Sequence, residues 1–544
     1  MQHTKVAIHN RAYTSWEFTQ DGVKVDLPHL IPSKHKLFHD DIIQTRGETI
    51  VIKESPFRDT ILAGILILGK TYGRSGKRLL YKCIPDNKSL PHFLVPYTAD
   101  ASFSKVVKNK YIVFRFTDWS EEHPHGEIKD TLGDVDSNEA FAEYQLYRRG
   151  LHLSLAPFIK ASRIILRDAD PIQVILNKHN YVEDLRSTEN VFTIDPADCT
   201  DFDDAFSVCV ENGIATINVY IANVFLWLET YQLWEHMTDR VSTIYLPDKK
   251  RPMLPPLLSE DWCSLKQGTD RFAFMMSVKY DMQTMAPIGT PIFKNVLVRI
   301  QKNYDYEDKK LGKNPAYRVL RTLAERSDHK TDDSHEVVAF WMIQMNSACA
   351  EYLRNGGKGI FRKTTEGSSY SSFPWFAETI SSGAIYSDTC GPHSQLGIDA
   401  YTHITSPIRR LVDILNQILF ISNFASPASL SKSCQTFLDK WNQNLDSVNL
   451  ATREVRKCQM DCELLELAEK NEFSEFSGII FDRMKSSEKI QYEYSVYLEQ
   501  FKMFSRIKSD KFIENFTKLP FKIFVFNDED RLCRKIRLQI QEPI

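Results

Sequence analysis

Four aspartates, Asp195, Asp201, Asp203 and Asp204, fall within ten residues of the segment TIDPADCTDFDDAFSV (Thr193 to Val208), with Asp198 a fifth close by. Carboxylates held this close repel, and ionising all of them is costly unless a cation stands among them. A hard divalent ion answers that cost, because Mg²⁺ takes oxygen ligands and keeps part of its shell for water and phosphate. Two such ions about 4 Å apart can activate a water and stabilise the leaving oxygen of a phosphodiester. The plain alternative is a solvated acidic loop. A calcium loop is a third, but DxDxDG spacing and its terminal Glu are absent. Val191, Phe192 and Ile194 before the cluster, and Ala205, Phe206 and Val208 after it, place the carboxylates at the rim of a core.

A second segment, YTHITSPIRRLVDILNQ (Tyr401 to Gln417), offers cations. Ser406 as N-cap and Pro407 at the first helical position predict a helix from Pro407 to about Ser422. Arg409 and Arg410 then fall in its first turn, where the helix dipole is already positive. An anion at that end would turn the repulsion into a phosphate site of N–H groups and guanidinium forks. The plain alternative pairs one arginine with Asp413.

These residues need elements to hold them. Up to about residue 150 the chain reads as strands broken by turns, with ILAGILILG, HFLVPY and KYIVFRF as examples. Two small β-barrels fit that span. From about 156 to 470 strands and helices mix. The strongest helices are expected from about His335 to Leu353, from Pro407 to about Ser422, and from about Thr452 to Lys470. The remainder returns to strands and ends in a hairpin, FKIFVFNDEDRLCRKIRLQI, with an acidic turn and a basic second arm.

The chain has 544 residues, 42% hydrophobic and 26% charged, with a net charge of −3. That is ordinary globular composition for several domains, and no global positive field announces a polyanionic partner. No signal or transit pattern opens the sequence, and the longest apolar run is far short of a membrane span, so a cytoplasmic protein without membrane contact is expected. The ten cysteines contain no CxxC pair; the closest, Cys458 and Cys462, sit one helical turn apart, which argues against a disulfide framework or structural zinc.

The aspartate cluster and the arginine segment, in this order and about 200 residues apart, resemble the signature of the ribonuclease II superfamily catalytic domain. Between them, DRVSTIYLPDKKRPMLPPLLSEDWCSL (Asp239 to Leu265) and SHEVVAFWMIQMNSACAEYL (Ser334 to Leu353) are similar to further family segments, as are PDNKSLPHFLVP and PHGEI near the N-terminus. The resemblance implies a multidomain protein: a mixed α/β RNB catalytic domain flanked by all-β OB-fold domains. Two would be N-terminal and cold-shock-like, over 1–70 and 71–155, and one C-terminal and S1-like, over 471–544, around a catalytic domain at 156–470. It implies a processive 3′→5′ exoribonuclease that hydrolyses single-stranded RNA to nucleoside 5′-monophosphates with Mg²⁺, or Mn²⁺ in its place. Asp195, Asp201, Asp203 and Asp204 would hold the metals, Asp203, Arg409 and Tyr245 would serve catalysis, and Arg410 would join Arg409 on the RNA. Tyr245 matches the tyrosine that stacks near the last bases, and Phe293 is a second stacking candidate against its reading as plain core. A monomer is expected, with an RNA helicase or another decay factor left open as partners.

Three departures from the family pattern bear on substrate preference more than on chemistry. Asn223 stands where an aspartate is usual, Gln417 where a histidine is usual, and Lys363, Thr364 and Thr365 follow Phe361-Arg362 where His-x-x-Pro is common. No fused N-terminal nuclease domain is expected, since β-barrel sequence starts at once. The rival from another class is a catalytically silent RNA-binding scaffold, which would be expected to lose an aspartate or Arg409; a DNA nuclease is a second rival. Gly64 to Thr71 satisfies the P-loop pattern, but its large apolar middle residues predict a buried strand. Basic and aromatic residues interleave at Lys105, Lys108, Lys110, Tyr111, Phe114 and Arg115, and at Phe501, Lys502, Phe504 and Arg506, a composition that suits OB-type strand binding.

Overall fold

A computed structural model describes residues 3–46, 49–98, 108–326, 333–364, 384–393, 396–424, 430–470, 475–485, 492–499, 503–527 and 534–541. The chain divides into two compact units, one of Met1–His152, Tyr245–Lys249 and Arg456–Ile544, the other of Leu153–Ile244 and Lys250–Val455.

The first unit begins with β1 (Thr4–Ile8), β2 (Trp16–Gln20), β3 (Val23–Val25), β4 (Ile42–Arg46) and β5 (Thr49–Glu54), an antiparallel sheet of order β3-β2-β1-β4-β5. Thr4, Val6 and Ile8 alternate inward along β1, the period of two that puts one face on a core. Next, β6 (Ile61–Ser75), β7 (Arg78–Pro85), β8 (Phe93–Tyr97), β9 (Lys110–Asp118) and β10 (His125–Asp134) close into a barrel. The division expected between residues 70 and 71 falls inside β6. The P-loop look-alike lies in the same strand, where Ile65 and Leu66 are fully buried. Gly64 is needed there, because an added Cβ would come within 2.8 Å of Cys83 Sγ and 2.9 Å of the Ile84 carbonyl. Helix α1 (Asn138–Arg148), capped by Ser137, follows the barrel.

The second unit opens with α2 (Ala156–Ser162) and α3 (Pro171–Lys178), then β11 (Glu183–Asp184), β12 (Val191–Asp195), β13 (Asp204–Glu211), β14 (Ile214–Ala222) and α4 (Val224–Thr230). After the short strands β15 (Ile244–Tyr245) and β16 (Lys250–Arg251) come β17 (Asp270–Asp281) and β18 (Pro287–Asp305). The sheet order is β11-β18-β12-β13-β14-β17, and β17 also pairs with β18, so the sheet curls back on itself. Its strands are parallel between β12 and β18 and antiparallel between β12 and β13. Further elements are α5 (Pro315–Arg326), α6 (Ser334–Asn355), β19 (Phe361–Thr364), β20 (Ala384–Ser387), α7 (Leu411–Phe424), α8 (Lys432–Asn442) and α9 (Leu445–Lys470). Helix α6 is capped by Asp333 and starts one residue ahead of the expected His335. Helix α9 begins seven residues before the expected Thr452. In α7, Leu411, Ile414, Leu415 and Ile418 are fully buried, as befits a helix apolar around most of its circumference.

One expectation is corrected here. Helix α7 starts at Leu411, not at Pro407, and Arg409 and Arg410 precede it. Their backbone pairs with another segment instead: Thr243 N donates to the Arg409 carbonyl at 3.0 Å, and Leu411 N to the Val241 carbonyl at 2.9 Å. Arg410 forms an isolated bridge with Ser242, so these groups cannot enter a helix ladder. The two arginines therefore sit on a turn and not on a dipole.

The C-terminal strands β21 (Phe476–Lys485), β22 (Tyr492–Leu498), β23 (Met503–Ser509), β24 (Lys518–Asn527) and β25 (Arg534–Ile540) form an antiparallel sheet of order β23-β22-β21-β24-β25. Ile480, Tyr494, Val496, Leu498 and Phe521 are its fully buried core. Among the described residues no helix is long and apolar enough to cross a membrane.

Candidate active site

The curled sheet of the second unit explains why the aspartates meet. Asp195 is the last residue of β12 and Asp204 the first of the antiparallel β13, so both stand at one end of the sheet. The connecting loop carries Asp201 and Asp203, anchored where Phe202 N donates to Ser264 Oγ at 3.0 Å and Ser264 Oγ to the Thr200 carbonyl at 3.0 Å. Asp203 is 3% exposed. Its Oδ1 accepts from Ile408 N at 2.9 Å and its Oδ2 from Arg409 Nε at 3.2 Å. The two segments singled out in the sequence are thus joined, carboxylate to guanidinium.

Burial and mutual repulsion set the electrostatics. Burial, with Asp195 beside it, pushes the Asp204 carboxyl up to about 8, against the pull of Arg409. Asp195 is raised to about 7 by burial and by the charges of Asp203 and Asp201, with the Thr193 hydroxyl and Arg409 opposing. Asp203 is likewise raised to about 7, burial outweighing Arg409 and the Ile408 N–H. Asp195 Oδ2 and Asp204 Oδ2 are buried and accept no hydrogen bond among the described residues. Two orphaned oxygens beside a third buried carboxylate are a donor set that fits a hard cation. Among the described residues no group of three or more His, Cys, Asp or Glu is gathered tightly enough to hold a metal ion. Mg²⁺ can bind through one or two carboxylates and complete its shell with water and phosphate, so it does not require three protein ligands gathered at one point. Asp201 stands at the margin, paired with Lys250 Nζ at 3.1 Å, and that ammonium also bonds Glu260 at 2.8 Å.

Arg409 is the cation bonded to the buried Asp203. Its guanidinium bonds Ser406 Oγ at 3.0 Å and keeps a side-chain exposure of 47%, so it can meet a phosphate beside the carboxylates. Arg410 turns away: its Nη2 bonds Asp413 Oδ1 at 2.8 Å, and the same oxygen accepts from Ser406 N at 2.7 Å. Asp413 is fully buried, so Arg410 and Asp413 hold the turn that presents Arg409. Phe293 is corrected to a core residue. It is 8% exposed, its ring stacked 5.9 Å from Phe274 and packed edge-on against Phe420 at 4.9 Å. Tyr245 is 40% exposed and belongs to the other compact unit.

Sequence reasoning missed Tyr306 and Lys250. Tyr306 N donates to the Asp195 carbonyl at 3.1 Å, and its ring stacks on His335 at 3.6 Å. Burial and the charges of Asp204 and Asp195 raise its hydroxyl well above the ordinary tyrosine range. Only the parallel register that sets Asp195 opposite Asp305 brings it there, and no local spacing signals that.

Two of the three departures from the family pattern make buried structural contacts. Asn223 caps α4, its Oδ1 accepting from Leu226 N at 3.2 Å while its Nδ2 donates to Asn295 at 2.7 Å. Gln417 Nε2 donates to the Ala222 carbonyl at 2.9 Å and its Oε1 accepts from Phe225 N at 3.4 Å. Lys363 and Thr364 lie in β19, and Thr365 lies outside the described residues. Of the interleaved basic and aromatic residues, Tyr111 and Phe114 are fully buried core, and Lys108 and Lys110 pair with Asp136 and Asp134. Arg115 pairs with Asp59 at 3.2 Å, Arg506 lies 3.8 Å from Glu493, and Phe504 packs against Tyr497. Lys105, Phe501 and Lys502 lie outside the described residues.

Residues 182–311 and 375–423 match the RNB domain. The chain is 32% identical over 213 residues to DIS3-like exonuclease 2 of Schizosaccharomyces pombe, covering 36% of this chain and 22% of that protein. It is 24% identical over 310 residues to ribonuclease R of Chlamydia muridarum, covering 42% and 45% respectively. The matches therefore span less than half the length of these relatives. Among solved structures, the apo form of Mycoplasma genitalium RNase R superposes with a TM-score of 0.70 at 16% identity, covering 98% of this chain and 99% of that one. Yeast Ssd1, described as a pseudonuclease, superposes with a TM-score of 0.56 at 13% identity over 96% of this chain and 80% of that one. At those identities the likeness concerns the fold.

Proposed function

From a chain that carries an RNB domain of the ribonuclease II superfamily, we propose a hydrolytic 3′→5′ exoribonuclease that degrades single-stranded RNA processively to nucleoside 5′-monophosphates. The observation that carries the reading is the buried Asp195, Asp203 and Asp204 cluster, with two orphaned oxygens, bonded to an arginine from a turn some 200 residues away. Asp195, Asp201, Asp203 and Asp204 would hold two Mg²⁺ ions, or Mn²⁺ in their place; when bound, such ions activate water and stabilise the leaving oxygen. Arg409 keeps its Nε bond to Asp203, turns the exposed edge of its guanidinium to the scissile phosphate and supplies positive charge where the transition state develops negative charge. Asp203 orients Arg409 through Nε, and the Arg410–Asp413 pair holds the turn. Tyr245, exposed on β15, would stack on a base near the 3′ end, a contact indifferent to sequence. The three strand-rich modules of the first unit are read as OB-type domains, two cold-shock-like and one S1-like, that hold the strand. The protein would act as a monomer in the cytoplasm.

A silent RNA-binding scaffold on the same fold is the alternative, and yeast Ssd1, which shares the fold, is described as a pseudonuclease. One experiment separates the two: 5′-labelled single-stranded RNA with Mg²⁺, beside Asp203→Asn. Stepwise 3′ shortening with release of nucleoside monophosphates, absent in the variant, is expected. Tight binding without cleavage in Mg²⁺ or Mn²⁺ would sink the enzyme and leave the scaffold.

A further inference from the structure

Lys250 stands beside the aspartates without belonging to the sheet that carries them. It lies on β16, and its ammonium donates to three acceptors: Thr200 Oγ1 at 2.7 Å, Asp201 Oδ1 at 3.1 Å and Glu260 Oε1 at 2.8 Å. Glu260 comes from the helical turn Leu257–Trp262. The Asp201 side chain is 12% exposed, those of Lys250 and Glu260 28% and 33%. The ammonium therefore sits between a nearly buried carboxylate of the cluster and a second carboxylate that reaches water.

The four aspartates are not neutralised alike. Asp203 is tied to Ile408 N and to Arg409. Asp195 is 8% exposed, and its Oδ2 and that of Asp204 are buried without a donor among the described residues. Asp201 has a resident cation. The simplest role for Lys250 would be a brace between the loop and the Leu257–Trp262 turn. That loop is already fixed, however: Phe202 N donates to Ser264 Oγ, Ser264 Oγ to the Thr200 carbonyl and Leu265 N to the Phe202 carbonyl, each at 3.0 Å. A partly exposed ion pair adds little to such an anchor. What a brace does not need is a second carboxylate outside the cluster. With Glu260 in place, Lys250 can leave Asp201 and stay paired.

We propose that Lys250 is an exchangeable counter-ion for Asp201, a positioning residue that makes the divalent ions bind in order. The proposal rests on the metal-dependent exoribonuclease reading above. The orphaned oxygens of Asp195 and Asp204 receive a first ion with no cation to displace. Asp201 becomes a ligand for a second ion only when the ammonium gives way and remains on Glu260. Ammonium and dication compete for one carboxylate and repel each other across it, so the second ion binds more weakly than the first. The phosphate of a bound RNA supplies negative charge and oxygen ligands, and so favours the exchange. Until substrate arrives, Lys250 keeps Asp201 neutralised and the loop in its working shape.

The test is a titration of the full chain with Mn²⁺ in the absence of RNA, the free ion read from its electron paramagnetic resonance signal. Wild type, Lys250→Met, Lys250→Arg and Glu260→Gln are compared, each checked for folding by thermal melting. Lys250→Met should tighten the second ion about tenfold, the scale of an ion pair between the screened and the buried limits. The first ion should stay within about threefold, as expected of a site that shares no partner with Lys250. Lys250→Arg keeps the charge and should restore the weak second site. Glu260→Gln should weaken the second ion several-fold, because the ammonium then has Asp201 as its carboxylate partner. A mere brace would instead make Lys250→Met and Glu260→Gln loosen both ions together. That result would overturn the proposal, as would two equal ions in the wild type or an unchanged second affinity in Lys250→Met. Mg²⁺-dependent hydrolysis by the wild type would leave the enzyme standing in each of those cases. A wild type that takes up no Mn²⁺ would overturn this and the metal-dependent enzyme together.

Discussion

Changing Asp204 to Asn should stabilise the metal-free protein at alkaline pH while abolishing hydrolysis. Asp204, Asp195 and Asp203 are raised to about 8, 7 and 7, chiefly by burial. A carboxyl whose folded pKa is raised binds its proton more tightly folded than unfolded. Its stabilising contribution is therefore full below pH 4 and is lost as pH rises through the folded value. Between pH 6 and 8.5 the metal-free wild type must ionise the cluster against repulsion, and its melting temperature should fall across that window. Each tenfold change in proton affinity is about 1.4 kcal/mol. Relaxation and entering water reduce the full difference, so a gain on the order of 2–3 kcal/mol is expected for Asn at pH 8. At about 2–4 °C per kcal/mol for a large domain, that is roughly 4–12 °C. The assay is thermal melting in EDTA and in Mg²⁺ at pH 6, 7, 8 and 8.5. Mg²⁺ should raise the wild-type melting temperature more at pH 8 than at pH 6, because ions compete with protons for the same oxygens. The variant should lose most of that response. A wild type whose melting in EDTA is flat or rising from pH 6 to 8.5, or an equal Mg²⁺ response in both proteins, would refute the reasoning.

Arg409→Ala should lower kcat by about 10²–10³ with little change in RNA affinity, since its charge matters most where the transition state is richest in negative charge; single-turnover kinetics check this, and a pure KM effect would contradict it. Glu229→Ala should destabilise the second unit by roughly 3–5 kcal/mol, because this buried carboxylate accepts from Trp234 Nε1 at 2.7 Å and from Ser431 N and Oγ, both at 2.8 Å. Denaturant unfolding measures it, and a loss under 1 kcal/mol would mean the donors find other acceptors. Asn223→Ala should cost about 1–3 kcal/mol through the lost cap and the orphaned Asn295, whereas Asn223→Asp keeps the cap once the Asn295 amide turns over. Equal melting temperatures for the two variants would exclude that role.

The two segments that meet at the candidate site were legible because their signals are local. Asp195 to Asp204 lie on one loop between two strands, and Arg409 lies in a segment with its own composition, so short-range spacing announced both. What stayed hidden depends on distant pairing. Ser406-Pro407 carries every local mark of a helix start, yet the bridge to Val241 through Thr243 takes the backbone groups and delays α7 to Leu411. Arg410 resembles Arg409 in sequence, but a fully buried Asp413 decides that one arginine braces the turn while the other faces outward. Phe293 could not be told from core by type alone, and its ring against Phe274 and Phe420 settles it. Tyr306 reaches the site only through the parallel pairing of β12 with β18. In the first unit, turn residues at Tyr72 to Lys77 marked a hairpin correctly but not that its outer half leaves the barrel, since no sequence period encodes where a third strand stops pairing.

The energetics of the aspartates also bear on the choice between enzyme and scaffold. Two buried oxygens without donors and three carboxyls raised to about 7 or 8 make the metal-free fold less stable near neutral pH than a neutral cluster would. An RNA-binding scaffold gains nothing from that. Asparagine at any of the three positions would relieve the repulsion and still fill the space, and a scaffold free to drift would be expected to carry one. Here Asp195, Asp203 and Asp204 are all present, together with Arg409 and the Arg410–Asp413 brace that holds its turn. Strain kept at a rim that faces an exposed guanidinium is what a site for phosphate and metal requires. The fold likeness to a pseudonuclease says how the chain is arranged, whereas the retained carboxylates bear on what the arrangement is for, and they favour hydrolysis.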